Sequence, residues 1–332
     1  MRRKVSEAHS EVIHYTSASG LAGIVASQTL WATHSAFLND VSEIALFFDR
    51  RLAAILESGI RAELAESPDL QVLPEFARTS EEANQAIGRY AMDMARTFRT
   101  ISHRFNQPYF FSFCAPANAR TGRDGLLSQW RGYGKDGGYA LVFDTKQLEE
   151  LQKAEASAFW YQHMQWGNVH YHQDDDDLSR AEPEILESED SLRGAIRAFV
   201  RQPGSDALES TFEPVATLSC LYKHWGFHEE REVRIVAIPP NTELIRDGRT
   251  EGEARPVRMP KHLLRGGTPV PYIELFASAA GDAHQRRLPI TRVLVGPHPQ
   301  SHLRKRAVET MLESKGIAVE VVVSQIPYVG SW

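Results

Sequence analysis

The chain has 332 residues, 42% of them hydrophobic and 24% charged, with a formal net charge of -6. That is an ordinary soluble globular composition, and its acidic excess argues against general electrostatic capture of nucleic acid. Cys114 and Cys220 are too few for a disulfide scaffold or a cysteine-based zinc site, and they fit a cytoplasmic address. Met1-Arg2-Arg3-Lys4 is basic but runs into polar residues, and no uncharged apolar run approaches the ~18 residues of a membrane span. Neither export nor membrane insertion is expected.

In chain order, Val12, Ile13, His14 and Tyr15 read as a short strand. The hydroxyls of Thr16 and Ser17 suit a helix cap, and Leu21, Ile24 and Val25 follow at helical spacing. Residues 30–33 predict a second strand and 37–40 a loop, from which Asp40 or Ser42 starts another helix. Apolar residues recur at helical spacing over 43–65 and 81–105, with an exposed loop between them at 68–80. Tyr109 to Cys114 predicts a buried aromatic strand, interrupted by Ser112. A glycine-rich loop over 115–138 comes next. Its glycines permit close backbone approach, Arg131 suits a phosphate or carboxylate, and Trp130 or Tyr133 suits stacking on a ring. Gly134-Lys135-Asp136 lacks the spacing and the hydroxyl of a Walker loop.

Residues 139–143 predict a strand, with Asp144 and Thr145 capping a helix to about 156, and 167–171 predict another strand. The four acids at 174–177 lack the alternating ligands of a calcium loop and read as solvated. Helices are expected over 181–200 and 205–222, the second interrupted at Pro214. A less regular, locally basic region reaches 267; strands at 270–276, 290–295 and 318–323 and a helix at 301–314 complete the chain. No internal repeat or low-complexity linker divides it. One α+β domain over 1–332, with helical insertions at about 42–105 and 181–222, is the economical account.

The densest chemistry lies in Glu230-Arg231-Glu232-Val233-Arg234-Ile235-Val236. As a strand, this stretch puts Glu230, Glu232 and Arg234 on one face and Val233 and Ile235 on the other. Two acids at adjacent same-face positions repel, so solvent, cross-strand cations or a polar ligand must compensate them. The plain structural reading is a half-exposed strand neutralised by Arg234. A divalent metal held by Glu230, Glu232 and a third acid would give a phosphodiesterase-type hydrolase, but no convincing third ligand is present and no metal is expected. The upstream His224 and His228 are not spaced as His-Glu-x-x-His, and no Gly-x-Ser-x-Gly elbow appears. His14, at a strand end before a capped helix, suits either a backbone carbonyl or a ligand.

His14-Tyr15-Thr16-Ser17, the phrase 31–40 ending Leu38-Asn39-Asp40, the strand 109–114, Ser128-Gln129-Trp130-Arg131, the stretch 230–236 and Ser324-Gln325-Ile326-Pro327-Tyr328 together resemble the DUF2971 family of uncharacterised bacterial proteins, across nearly the whole chain. More distantly, the opening strand, His-Tyr-Thr-Ser and following helix are similar to the histidine-containing ADP-ribosyltransferases, including poly-ADP-ribose polymerases and DarT-type toxins. That resemblance implies an ADP-ribosyltransferase-like core of two packed, mostly antiparallel sheets with helical insertions. It also implies NAD as co-substrate, with His14 on the adenosine ribose and Ser112 or Tyr109 beside the nicotinamide. Glu232 would stabilise the oxocarbenium that develops when the nicotinamide bond breaks, and Glu230 would position or deprotonate the acceptor. Tyr15, Thr16 and Trp130 complete the expected NAD-binding set, with Arg131 or Arg234 for the pyrophosphate or for carboxylate geometry. The acceptor, whether protein, nucleic acid or small molecule, is left open, as is a regulatory partner protein. A toxin or anti-phage defence effector is the implied setting. The competing reading is a non-enzymatic interaction or sensor module in which the two acids are salt-bridged.

Overall fold

A computed structural model describes residues 4–38, 43–67, 80–105, 107–134, 137–172, 182–240, 253–277 and 287–327. The expected helix start at Asp40 or Ser42, the loop at 68–80 and the acidic run at 174–177 lie outside or mostly outside these residues.

The chain opens with α1 (Val5–Ala8), β1 (Glu11–Thr16), α2 (Ala18–Ser27) and β2 (Leu30–His34). Ser17 caps α2 by accepting from the Gly20 amide at 3.2 Å, as the hydroxyl run predicts. Next come α3 (Glu43–Leu46), a π-helical segment Phe47–Leu52, α4 (Ala53–Glu66) and α5 (Ser80–Phe105), then β3 (Tyr109–Cys114). The glycine-rich stretch expected to be a loop holds two short helices, α6 (Ala119–Asp124) and α7 (Leu127–Tyr133), before β4 (Tyr139–Asp144) and α8 (Thr145–Ala158). Asn118 caps α6, and Gly125, at φ 78, makes the turn between the two helices.

The strand expected at 167–171 begins earlier and breaks: β5 is His163–Asn168 and β6 is His170–His172. Helices α9 (Pro183–Arg201), α10 (Ser205–Glu209) and α11 (Phe212–Leu221) follow. Pro214 falls in the first turn of α11, where its missing amide leaves no bond unmade, so the helix is not interrupted there. The rest is β7 (Tyr222–His224), a 3-10 segment Trp225–Glu230, β8 (Glu232–Ile238), β9 (Lys261–Arg265), β10 (Thr268–Leu275), β11 (Ile290–Val295), α12 (Ser301–Ser314) and β12 (Glu320–Val323).

This is a mixed α/β fold, but the expected two packed sheets are one ten-stranded sheet and a separate two-stranded one, β6-β7. The large sheet runs β12-β11-β4-β1-β3-β2-β10-β9, with β8 paired to β3 and β5 to β8. Strand β3 is where it branches. One edge pairs with β8 along its whole length, from Tyr109↔Ala237 to Cys114↔Glu232. The other edge is shared, with β2 at Tyr109 and Phe110 and β1 at Cys114.

The sheet has a different core on each side. Phe111, Phe113, Val233 and Ile235 pack with Leu21 and Ile24 of α2, Leu148 of α8 and Val308 and Leu312 of α12. On the opposite face Phe110, Val236 and Ile238 pack with Leu52, Ile55, Ile87, Ile185, Leu192 and Val215. The two helical insertions thus form one layer: α9 packs on both α4 and α11, and α4 on α5. A third, smaller core joins Trp130 of α7 to Ile13, Tyr15 and Cys114.

Gly125 is fixed by both conformation and space, since a Cβ there would stand 2.6 Å from the buried Trp130 Nε1. Gly125→Ala is expected to cost more than about 1 kcal/mol, read as a lower urea midpoint with unchanged slope.

Candidate functional site

Glu232 and Arg234 stand on β8, where every residue is buried. The expected half-exposed strand is therefore wholly interior, because the helical layer covers the face that carries the charges. In the β3–β8 register Glu232 faces Cys114 and Arg234 faces Ser112, so these four share one side of the sheet. Glu232 is 4% exposed and Arg234 1%. Arg234 grips the carboxylate with Nε on Oε1 and Nη2 on Oε2, both at 2.8 Å, and donates Nη1 to the Cys220 carbonyl at 2.8 Å. Its guanidinium also lies 4.5 Å from the Phe110 ring centroid.

Glu230 is not on the strand. It ends the 3-10 segment, and Arg231 at φ 43 breaks the alternation that would have aligned it with Glu232. The two acids are joined instead by Lys223 of β7, whose Nζ lies 2.6 Å from Glu230 Oε2 and 2.8 Å from Glu232 Oε2. Lys223 is 5% exposed, whereas the Glu230 side chain keeps 19% of its surface. The repulsion expected between the acids is thus cancelled by one cation on β8 and one from β7 of the separate two-stranded sheet. Burial alone would push the Glu232 carboxyl up; the Arg234 guanidinium and Lys223 ammonium outweigh it, and with the Ser112 hydroxyl they hold it below the ordinary glutamate range. Tyr171 of β6 completes the shell, its hydroxyl accepting from the Glu232 amide at 2.7 Å.

Ser112 connects this cluster to β1. Its hydroxyl serves Glu232, while its carbonyl, in the gap where β1 and β2 diverge, accepts from His14 Nδ1 at 2.9 Å. A carbonyl can only accept, so His14 carries its proton on Nδ1, and Nε2 is left as a lone-pair acceptor with no partner among the described residues. Burial holds the imidazole down at about 4, against the pull of that carbonyl, so it is neutral at physiological pH. The ring stacks at 4.2 Å on Phe111 and 6.3 Å from Phe113, on the face opposite Glu232.

The remaining expected residues separate. Because Ile13 pairs with Cys114, Tyr15 shares the Glu232 face; it accepts from the Leu126 amide at 2.8 Å and meets Trp130 edge-on at 4.8 Å. Trp130 is 1% exposed and donates Nε1 to the Asp124 carbonyl at 3.0 Å, so it props the α6–α7 turn and offers no ring for stacking. Tyr109, three residues from Ser112, is buried on the other face against His34, and burial pushes its phenol up to about 12. Of the two middle-strand candidates, only Ser112 reaches Glu232. Thr16 ends β1 under Gly20, and Arg131 is exposed on α7.

Sequence reasoning missed Lys223 and Tyr171. The signal for Lys223 was a charged residue closing the apolar run of α11, which requires an acid partner once buried. Among the described residues no group of three or more His, Cys, Asp or Glu could hold a metal, and the seat between the two carboxylates is filled by the Lys223 ammonium. No helix among them is long and apolar enough to cross a membrane.

The class is therefore a mixed α/β protein with an interior cluster of two acids and two bases at the branch of its sheet. Residues 129–235 match the profile of DUF2971, described as a protein of unknown function. The match opens in the Gln129-Trp130-Arg131 motif and closes just beyond Arg234, so it takes in Lys223, Glu230 and Glu232 but not His14 or Ser112. It is narrower than the whole-chain resemblance expected from the motifs. No curated protein and no solved structure matches the chain.

Glu232→Gln would leave Arg234 and Lys223 short of a counter-charge in the interior. It is expected to cost about 3–5 kcal/mol at neutral pH. Since the folded carboxyl lies below its unfolded value, its stabilisation is complete above the ordinary glutamate range and lost as pH falls through the folded value. The gap between wild-type and variant denaturation midpoints should therefore narrow from about pH 5 downward.

Proposed function

We propose that this chain binds NAD and acts as an ADP-ribosyltransferase-like enzyme at the branch of its sheet. The observation that carries the reading is the place of Ser112, whose carbonyl accepts from His14 and whose hydroxyl is among the groups that lower the Glu232 carboxyl. The strands that the resemblance calls on, one N-terminal, one middle and one late, are neighbours in the order β1, β3, β8. They are far apart in the chain, so this adjacency comes from the fold.

The chemistry of each group fits. NAD supplies a ribose whose bond to nicotinamide breaks with oxocarbenium character, and stabilising it needs a carboxylate that stays ionised. Glu232 is held in that state by Arg234 and Lys223. Its four donors suit it to a fixed electrostatic role and unsuit it to proton transfer. Glu230, the more exposed acid, is the one that faces the acceptor. His14, neutral and fixed by its Nδ1 bond, offers Nε2 to a ribose hydroxyl. Arg131, exposed on α7, is the cation for the pyrophosphate, while Arg234 is committed to Glu232. The metal-dependent alternative is the weaker one, since Lys223 occupies the seat a cation would need.

The test is thermal stability of the purified protein with NAD in excess, together with nicotinamide release. Ligand at about 100 times its Kd adds about 2.7 kcal/mol to stability, a readily measured rise in Tm. His14→Ala is expected to lose that rise, while Glu230→Gln keeps it and loses transfer to the acceptor. Wild-type protein showing neither a rise nor nicotinamide release would sink the proposal.

A further inference from the structure

We propose that Lys223 is a positioning residue: its ammonium aligns Glu230 on Glu232, so that the one acid open to solvent is held ionised beside the buried one. The inference deepens the transferase reading where it concerns the acceptor, but the alignment itself is independent of NAD.

Glu230 has no strand of its own to place it. The left-handed Arg231 turns the chain between the two acids, and Arg231 is committed elsewhere, with Nε donating to the Ala115 carbonyl at 3.2 Å. Without a shared cation the two carboxylates would repel, and Glu230, at the surface, is the one able to move away. Lys223 supplies that cation from a rigid base. It lies in the three-residue β7, in register with Tyr171 of β6, so both reach Glu232 from the same small sheet. The preceding Tyr222 donates its hydroxyl to Glu189 Oε1 at 2.8 Å, and that buried carboxylate is also held by Arg51 and Arg193, each at 2.8 Å. Nζ further lies 4.9 Å from the Phe227 ring centroid. The helical layer thus anchors the lysine, and the lysine sets the acids.

The groups around the Lys223 ammonium and its two acids include Arg234 from β8, Tyr171 from β6, Cys114 from β3 and Arg231 from the turn, and the elements packed on the 3-10 segment add Arg131 from α7, His170 and His172 from β6 and His224 from β7. Each of these can alter a titration, so the experiment isolates the lysine. Carbon-13 NMR of the glutamate side-chain carboxyls is followed against pH in wild type, with Glu230 assigned by its loss in Glu230→Gln. Glu230 is expected to titrate below the ordinary glutamate value. In Lys223→Met, with near-UV circular dichroism confirming the fold, its midpoint should rise by about one pH unit or more, and Lys223→Arg should restore most of the shift. An unchanged midpoint in folded Lys223→Met overturns the inference. If Lys223→Met does not fold, wild type decides: a Glu230 midpoint at the ordinary glutamate value overturns it equally. Nicotinamide release by the same proteins tests the transferase reading separately, because an inactive wild type leaves the titration intact. A lysine that only supported the fold would lower Tm in Lys223→Met without moving the Glu230 midpoint.

Discussion

Everything at the centre of this molecule answers to one constraint, the charge of Glu232 and Arg234 inside a strand with both faces covered. Removing a carboxylate and a guanidinium from water costs several kcal/mol each, and their mutual attraction offsets this only with good geometry and satisfied remaining bonds. Here the guanidinium is forked on the carboxylate and its third nitrogen is on a backbone carbonyl. The carboxylate in turn takes the Lys223 ammonium, and its own residue's amide is covered by Tyr171. Both of those come from the two-stranded β6-β7 sheet, which binds the start of β8 to the helical layer.

The second constraint is the branching of β3. A strand with three neighbours leaves a gap on the edge that two of them share, and the polar backbone exposed in that gap must find a partner that is not a strand. His14 fills the role for the Ser112 carbonyl. The imidazole is thereby fixed in one tautomer and kept neutral among Phe111 and Phe113, and its second nitrogen is left over. One backbone carbonyl left over at the branch thus fixes both the tautomer of His14 and which of its nitrogens stays an acceptor.

Much of the secondary structure was legible in the residues. The aromatic run of β3, the strand at 290–295 and the helix at 301–314 appear where their periodicity predicts, because each is a local pattern of burial repeated over several residues. The stretch at 115–138 misled because its glycines signal close approach as well as turns: Gly125 makes room for Trp130, and short helices form on either side. Glu230 misled because period-two alternation assumes an unbroken strand, and a single left-handed residue, Arg231, ends it. Trp130 illustrates the same limit, since an aromatic residue suits stacking or packing equally until its indole nitrogen finds a carbonyl.

By itself, then, the sequence determined the composition class, most of the elements, and the residue types at the branch: a histidine on the first strand, a serine on a middle one and an acid, Glu232, on a late one. Only the tertiary structure decided which of these meet. It put Ser112 on the Glu232 side of the sheet and Tyr109 on the other, set His14 opposite Glu232, and brought Lys223 between the acids. The reason is that alternation along a strand is a local property, readable from spacing, whereas the neighbour across a sheet edge is chosen by burial of the whole core. No spacing in the chain encodes that choice.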